Sequence, residues 1–205
     1  RSVSAFLLNR SSDLDLWTPI STAEHPLDYQ YVQYCYAKPA AEDTNGIPVC
    51  PSGVTWTTAS NNLLPTAKST TFAVTQLPAN DYCLFVRVCT VCESYTSTSD
   101  AVFAFGGQLP APTLTSITSD PLTRTTVVNF TNNSTLTLSK MAIITSKNVV
   151  LATVANGTST ATVRFIPNDD NMIGLRAYQG KAVTKPNMRS DDVFVTSGNV
   201  PLAPT

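Results

Sequence analysis

The chain of 205 residues is 42 % hydrophobic but only 13 % charged, about half the usual charged share of ~25 %, and its formal net charge is −1. No stripe of Lys or Arg and no run of ~18 apolar residues occurs, which argues against a nucleic-acid partner and against membrane insertion. A repeat of roughly ninety residues, set out below, divides the length into two ordinary domains, each large enough for its own core.

Short runs of alternating apolar and polar residues, punctuated by Gly, Pro and Asn, predict an all-β chain with no helix of three turns. The chain opens on RSVSAFLL, in which Val3, Ala5, Phe6, Leu7 and Leu8 make a terminal strand apolar on both faces. Such a strand suits pairing with a neighbouring subunit as well as cover by its own domain. Val32, Tyr34 and Tyr36 form an inward row. Phe72 and Val74 belong to a later strand, and Gln76–Asp81 is the corner after it. On the strand that follows, Tyr82, Leu84, Val86 and Val88 share one face, while Cys83, Phe85, Arg87 and Cys89 share the other.

Thr71–Val88 returns eighty-nine positions later as Thr160–Ala177, with Leu77-Pro78 on Ile166-Pro167 and Arg87 on Arg176. Ser99-Asp100-Ala101-Val102-Phe103 returns as Ser190-Asp191-Asp192-Val193-Phe194. The linker Gly107-Gln108-Leu109-Pro110 returns as Gly198-Asn199-Val200-Pro201. The expected domains are residues 1–108, holding all five cysteines, and 109–205, ending in the repeated Pro-rich linker where a third unit would begin. That reads as a processed product or a piece of a longer polypeptide.

Thr71-Phe72-Ala73-Val74, then Leu77-Pro78, Tyr82 and Leu84-Phe85-Val86-Arg87-Val88, resembles the fibronectin type III signature, a Leu-Pro turn before a tyrosine corner and a central strand. Tyr31-Val32-Gln33-Tyr34 is similar to the family's third strand, Leu14-Asp15-Leu16-Trp17-Thr18-Pro19 to its second, and Val54-Thr55-Trp56 to the short strand after the third. The resemblance covers most of residues 1–106. It implies two tandem immunoglobulin-like (fibronectin type III-like) β-sandwich domains of about seven strands each, with a binding, adhesive or structural role and no activity. Trp17 stands out of phase with Leu14 and Leu16, which displaces its ring from the family's core position. Asn171 replaces Tyr82 in the second unit, so no tyrosine corner forms there and that unit is immunoglobulin-like in a broader sense. Its inward residues read as Val128, Phe130, Ala142, Ile144, Val163, Ile173, Leu175 and Ala177.

No constellation for catalysis emerges. The single histidine, His25, sits in a loop beside Pro26, and no Gly-x-Ser-x-Gly elbow occurs. Asn168-Asp169-Asp170-Asn171 gathers four oxygen-bearing side chains in one turn, yet no spaced bidentate Glu follows, and Asn and Asp are ordinary turn residues. The expectation is no catalytic residue, no metal and no cofactor. Cys89-Thr90-Val91-Cys92 lacks the second half of a zinc site and reads as a local disulfide, Cys89 with Cys92. Cys83 and Cys89 mark opposite ends of a strand, roughly 20 Å apart. In the implied topology Cys35 lies near Cys83, with Cys50 in the next loop, so a further bridge is drawn from Cys35, Cys50 and Cys83 and one thiol is left over. Tyr29 and Tyr31, in the run with Tyr34 and Tyr36, are a candidate binding face, though core and sheet packing account for most of that run.

The cysteines and the acceptor triplets at Asn9, Asn129, Asn132, Asn133 and Asn156 point to an oxidising, glycosylating compartment, hence to a secreted or cell-surface protein carrying N-linked glycans. The leading expectation is a non-catalytic extracellular structural glycoprotein, a repeating subunit of a fibre assembled head to tail with copies of itself. Val3, Ala5, Phe6, Leu7, Leu8, Val200, Pro201 and Leu202 are the candidate assembly residues. The alternative is an adhesion or receptor ectodomain binding a protein or glycan through the loops 23–28, 40–47 and 93–99.

Overall fold

The structure, a computed structural model, describes residues 2–5, 28–64, 67, 70–74, 77–92 and 95–195. The described residues form strands and turns without a helix, in two compact units made of residues 1–39 with 49–105, and of residues 40–48 with 106–205. In chain order the strands of the first part are β1 (Ser2–Ala5), β2 (Tyr29–Ala37), β3 (Ala41–Glu42), β4 (Pro48–Val49), β5 (Thr57–Leu63), β6 (Thr70–Ala73), β7 (Cys83–Cys92), β8 (Tyr95–Thr98) and β9 (Val102–Gly106). Those that follow are β10 (Thr113–Asp120), β11 (Thr125–Thr131), β12 (Lys140–Thr145), β13 (Val150–Val154), β14 (Thr160–Val163), β15 (Ile173–Gln179), β16 (Met188–Arg189) and β17 (Val193–Val195).

In the first unit the larger sheet runs β5-β2-β7-β8, with β9 also on β7, and β1 pairs with β6. Alternation decides which side of β2 and β7 faces the core. Val32, Leu84, Val86 and Val88 from the larger sheet pack with Phe72 and Val74 from the β6 segment, and Tyr34, Tyr36 and Leu77 lean on that cluster. Antiparallel register places Val32 opposite Val88 and Tyr34 opposite Val86. Asp81, at φ 71 and buried, turns the chain into β7. Val3 and Ala5 stand in β1 opposite Phe72 and Thr70, so this strand pairs inside its own unit. Asn9, Leu14–Pro19, His25, Phe6, Leu7, Leu8, Val200, Pro201 and Leu202 lie outside the described residues.

The second unit has a three-stranded sheet, β10-β11-β14, and a larger sheet, β13-β12-β15-β16 with β17 also on β15. An irregularity between Leu114 and Ser116 adds one residue to β10. Leu114 and Ile117, three apart, therefore share a face with Phe130 and Val128, and all four are buried. Thr126 sits among them fully buried because its hydroxyl donates to Phe165 O at 2.6 Å. On β15 the residues that match the core row of β7 are Ile173, Leu175 and Ala177, facing Thr145, Ile143 and Met141 across the sheet. Met141 and Ile143 of β12 share that row. Ala142 and Ile144, expected as core residues, are buried as well, in a cluster with Tyr178 and Val183 on the opposite face, where their cross-strand partners are Arg176 and Gly174.

Two further differences from the sequence reading concern the stretch after β2. Val54-Thr55-Trp56 forms no strand, and pairing begins at Thr57. Residues 40–48 carry a hairpin that counts with the second unit, whereas the expected boundary put them in the first. Gly46 carries that arrangement. At φ +76 it bends the chain, and a Cβ there would stand 2.7 Å from the Lys181 backbone nitrogen. Its carbonyl accepts from Asn187 Nδ2 at 2.7 Å and Gln179 Nε2 at 3.3 Å, while Glu42 accepts from Gln179 and pairs with Lys140 at 3.7 Å.

The repeated Ser-Asp pair has a physical role common to both units. Ser99 donates its backbone N–H to Val88 O at 2.9 Å, and its hydroxyl oxygen accepts from Val88 N at 3.0 Å while donating to Asp100 O at 2.9 Å. Ser190 does the same with Ala177 and Asp191, at 2.9, 3.0 and 2.8 Å. In each unit the last strand breaks at this serine, between β8 and β9 or between β16 and β17, and the hydroxyl stands in for a ladder carbonyl. Ser99→Ala and Ser190→Ala each leave a buried backbone N–H unpaired and are expected to cost about 1–3 kcal/mol, more at fully buried Ala177 than at Val88, read as loss of chemical-denaturation free energy.

Candidate functional site

The densest grouping of chemically active side chains lies on the face of the first unit's larger sheet turned away from its core. Period-two alternation puts Tyr31, Gln33 and Cys35 of β2 there, opposite Cys89, Arg87 and Phe85 of β7. Nothing in that register would bury such a face, yet Cys35, Phe85 and Cys89 are fully buried. The cover comes from three places. Phe103 of β9 sets its ring edge-on to Phe85, centroids 6.2 Å apart. Trp56 lies under the Arg87 guanidinium, 4.2 Å from its ring centroid. Cys50 brings its sulfur to 3.8 Å from Cys35 Sγ.

Arg87 has a partner for each aspect of its chemistry. Its Nε donates to Gln33 Oε1 at 2.9 Å, and its flat cation stacks on the indole. The same Gln33 oxygen accepts from the Cys89 thiol at 3.3 Å. Burial pushes the Cys35 thiol up to about 12, helped by the neighbouring Cys50. Burial likewise raises Cys50 and Cys89, against the opposing hydrogen bonds and the Arg87 charge, and lifts Cys83 to about 12 with help from Asp81. These are thiols held protonated, the reverse of an activated nucleophile. In the reduced chain the sign follows. Thiols that ionise near 9 when unfolded and near 12 when folded support the fold below about pH 9, and that support is lost as pH rises toward 12. The Tm of the reduced chain is expected to fall between about pH 8 and pH 11, and a flat profile would contradict the burial of Cys35 and Cys83.

The structure sorts the predicted cysteine pairs. β7 runs unbroken from Cys83 to Cys92, so Cys89 and Cys92 sit three residues apart on an extended strand, about 10 Å, beyond the ~7 Å that a disulfide spans. The expected Cys89–Cys92 bridge is therefore corrected, because one extended strand carries both residues and holds them too far apart. Cys83 faces Ala37, one diagonal step from Cys35, and Cys50 is the cysteine at contact distance from Cys35.

Of the predicted aromatic face, Tyr34 and Tyr36 belong to the core edge. Tyr34 stacks on Phe72 at 5.8 Å and meets Tyr36 edge-on at 5.6 Å. Tyr29 and Tyr31 remain paired on the cysteine side, centroids 6.4 Å apart. The acceptor asparagines divide by exposure and by what holds Nδ2, the atom a glycan would join. Asn129 and Asn132 are half-buried and donate to Ser116 and Ser139, each at 2.9 Å. Asn133 and Asn156 are exposed, the former donating to Ala111 O at 2.7 Å and the latter to Leu136 O at 3.5 Å. Asn168 Oδ1 accepts from Asn171 N at 2.8 Å, closing the turn of four oxygen-bearing side chains. Among the described residues no group of three or more His, Cys, Asp or Glu could hold a metal ion, and no helix is long and apolar enough to cross a membrane.

The outward face of the second unit is covered by the same principle with different residues. Arg176 matches Arg87 but is only 4 % exposed, and its Nε and Nη2 each donate to Asp192 at 2.7 Å, with Asn148 Oδ1 at 3.1 Å and Val183 O at 3.4 Å. Asp192 stands where the first unit has Ala101. Gly174 stands where it has Phe85, and the freed space holds Phe194, whose ring would lie 2.4 Å from a Cβ at Gly174. In the sequence Gln33 and Trp56 stand only as members of strand-like segments and Asp192 as part of the repeated Ser-Asp segment, none of them as a partner of an arginine. The available signal was an arginine between apolar neighbours at the same place in both units.

Strand order, register and core define a protein of the β-sandwich class. No protein-family model matches the chain, and no curated protein matches it. Among solved structures it is similar to the BSP domain of a biofilm-associated protein, at 16% identity and TM-score 0.26, over 83% of this chain and 26% of that one. It is also similar to the FN1-FN3 domains of chicken CNTN1, at 10% identity and TM-score 0.35, over 88% of this chain and 58% of that one. The chain thus spans about a quarter of the first structure's length and little over half of the second's.

Proposed function

We propose that this chain is a non-catalytic structural module, a repeating subunit of an extracellular fibre or filament assembled head to tail. The observation that carries the reading is the cover on the second face of the larger sheet in both units, by Trp56, Cys50 and Phe103 in one and by Phe194, Val183 and the Arg176–Asp192 pair in the other. A sandwich that closes both faces of its larger sheet leaves ends and edges for association. The low-charge surface and the protonated thiols fit a structural role, and β1 pairing within its own unit favours stacking of ends over strand donation. Exposure makes Asn133 and Asn156 the favoured glycan sites over Asn129 and Asn132. The adhesive alternative loses one candidate surface, since residues 40–47 are held by Gln179, Asn187 and Lys140.

Sedimentation velocity over a concentration series tests the assembly. A ladder of rising coefficients that grows with concentration is the expected result, and a single sharp monomer boundary at the highest concentration would count against it.

A further inference from the structure

We propose that Cys35 and Cys50 form a disulfide that pins the segment carrying Trp56 across the outward face of the first unit, leaving Cys89 as a sealed thiol beneath it. The sulfurs already stand 3.8 Å apart, and Cys35 is buried in regular strand while Cys50 is half-buried directly after β4. Cys50 leads directly into Pro51 and then, six residues on, Trp56, whose indole supports Arg87. Arg87 in turn shares Gln33 Oε1 with the Cys89 thiol, so cover and sealed thiol belong to one contiguous set. The competing partner Cys83 is excluded by register. Cys83 lies opposite Ala37 and Cys35 opposite Phe85, a diagonal relation of about 7–8 Å, against the ~4 Å between Cβ atoms that a disulfide needs.

The oxidant is a small-molecule disulfide, RSSR. The Cys50 thiolate, the more accessible, attacks one sulfur of RSSR, releasing RS⁻ and forming a Cys50–SR mixed disulfide. The Cys35 thiolate then attacks Cys50 Sγ and expels the second RS⁻. Two protein thiols are oxidised, one RSSR is reduced, and the two protons go to the two released thiolates. Burial keeps both cysteines protonated at neutral pH, so formation accelerates as pH is raised.

The experiment incubates the full chain with oxidised glutathione, alkylates natively and then after denaturation, and maps the peptides without reduction. The expected result is loss of the mass of two hydrogens, a Cys35–Cys50 linked peptide, and Cys89 alkylated on denaturation alone. Cys50→Ser is expected to abolish the linkage and to raise native alkylation of Cys89 at least tenfold, while Cys89→Ser leaves the linkage intact. As a readout independent of the variants, reduction of the oxidised wild type is expected to lower Tm by on the order of 10 °C. A Cys35–Cys83 peptide, or Cys35 and Cys50 both still alkylatable after oxidation, would overturn the proposal, as would unchanged native protection of Cys89 when Cys50 is removed.

Discussion

Asp192→Ala is expected to destabilise the second unit by about 3–5 kcal/mol, among the largest single-residue effects in the chain. Arg176 is 4 % exposed and cannot shed its proton, because a guanidinium stays charged at any accessible pH and the Asp192 hydrogen bonds hold this one still higher. Removing the carboxylate leaves that charge buried with Asn148 Oδ1 and Val183 O as its acceptors, neither of them ionised. Arg189 cannot stand in, being itself a cation that reaches the same carboxylate at 3.4 Å from an exposed position. Adding Arg176→Met to the Asp192→Ala background removes the orphaned charge and is expected to restore most of the loss. A double variant no more stable than the single one, in a denaturation cycle, would show that the cost lies in packing and that the pairing is incidental.

The second large effect contrasts one position in its two forms. Phe85→Ala removes a fully buried ring from beneath Phe103 and is expected to cost the first unit about 3–5 kcal/mol by lost burial and the cavity left behind. At the matching Gly174 the sign of the size change is reversed. Gly174→Ala drives a methyl into the Phe194 ring, and the Val193 carbonyl stands 3.1 Å from the same Cβ, so overpacking of about 1–3 kcal/mol is expected. Phe194→Ala in the Gly174→Ala background should relieve it. Equal destabilisation with and without Phe194 would contradict the filling of this position by Phe194.

What the sequence disclosed follows from what periodicity encodes. The echo of Thr71–Val88 in Thr160–Ala177 located the matching strands β7 and β15, and period-two alternation separated their core rows from their outward rows. It also paired Ser99 with Ser190, whose hydrogen bonds prove the same in both units. Alternation fails wherever both faces of a sheet are covered. β12, buried from Met141 to Thr145, offers no polar phase, so the pattern names Ala142 and Ile144 as core but passes over Met141 and Ile143, which are buried on the other face. Nor could spacing show that Cys-x-x-Cys lies in an unbroken strand, or that Trp56 stands outside the ladder and supports Arg87. Those outcomes depend on long-range cover, and local pattern carries no record of it. The arginine was visible; its partners, Gln33 in one unit and Asp192 in the other, differ because Ala101 replaces the acid.

The function proposed above is that of a β-sandwich module assembled head to tail. Electron microscopy of the full chain at high concentration tests it most directly. The expected result is unbranched particles one chain wide whose length varies and whose width does not. Discrete single chains at every concentration, or lateral sheets of uniform length, would contradict it.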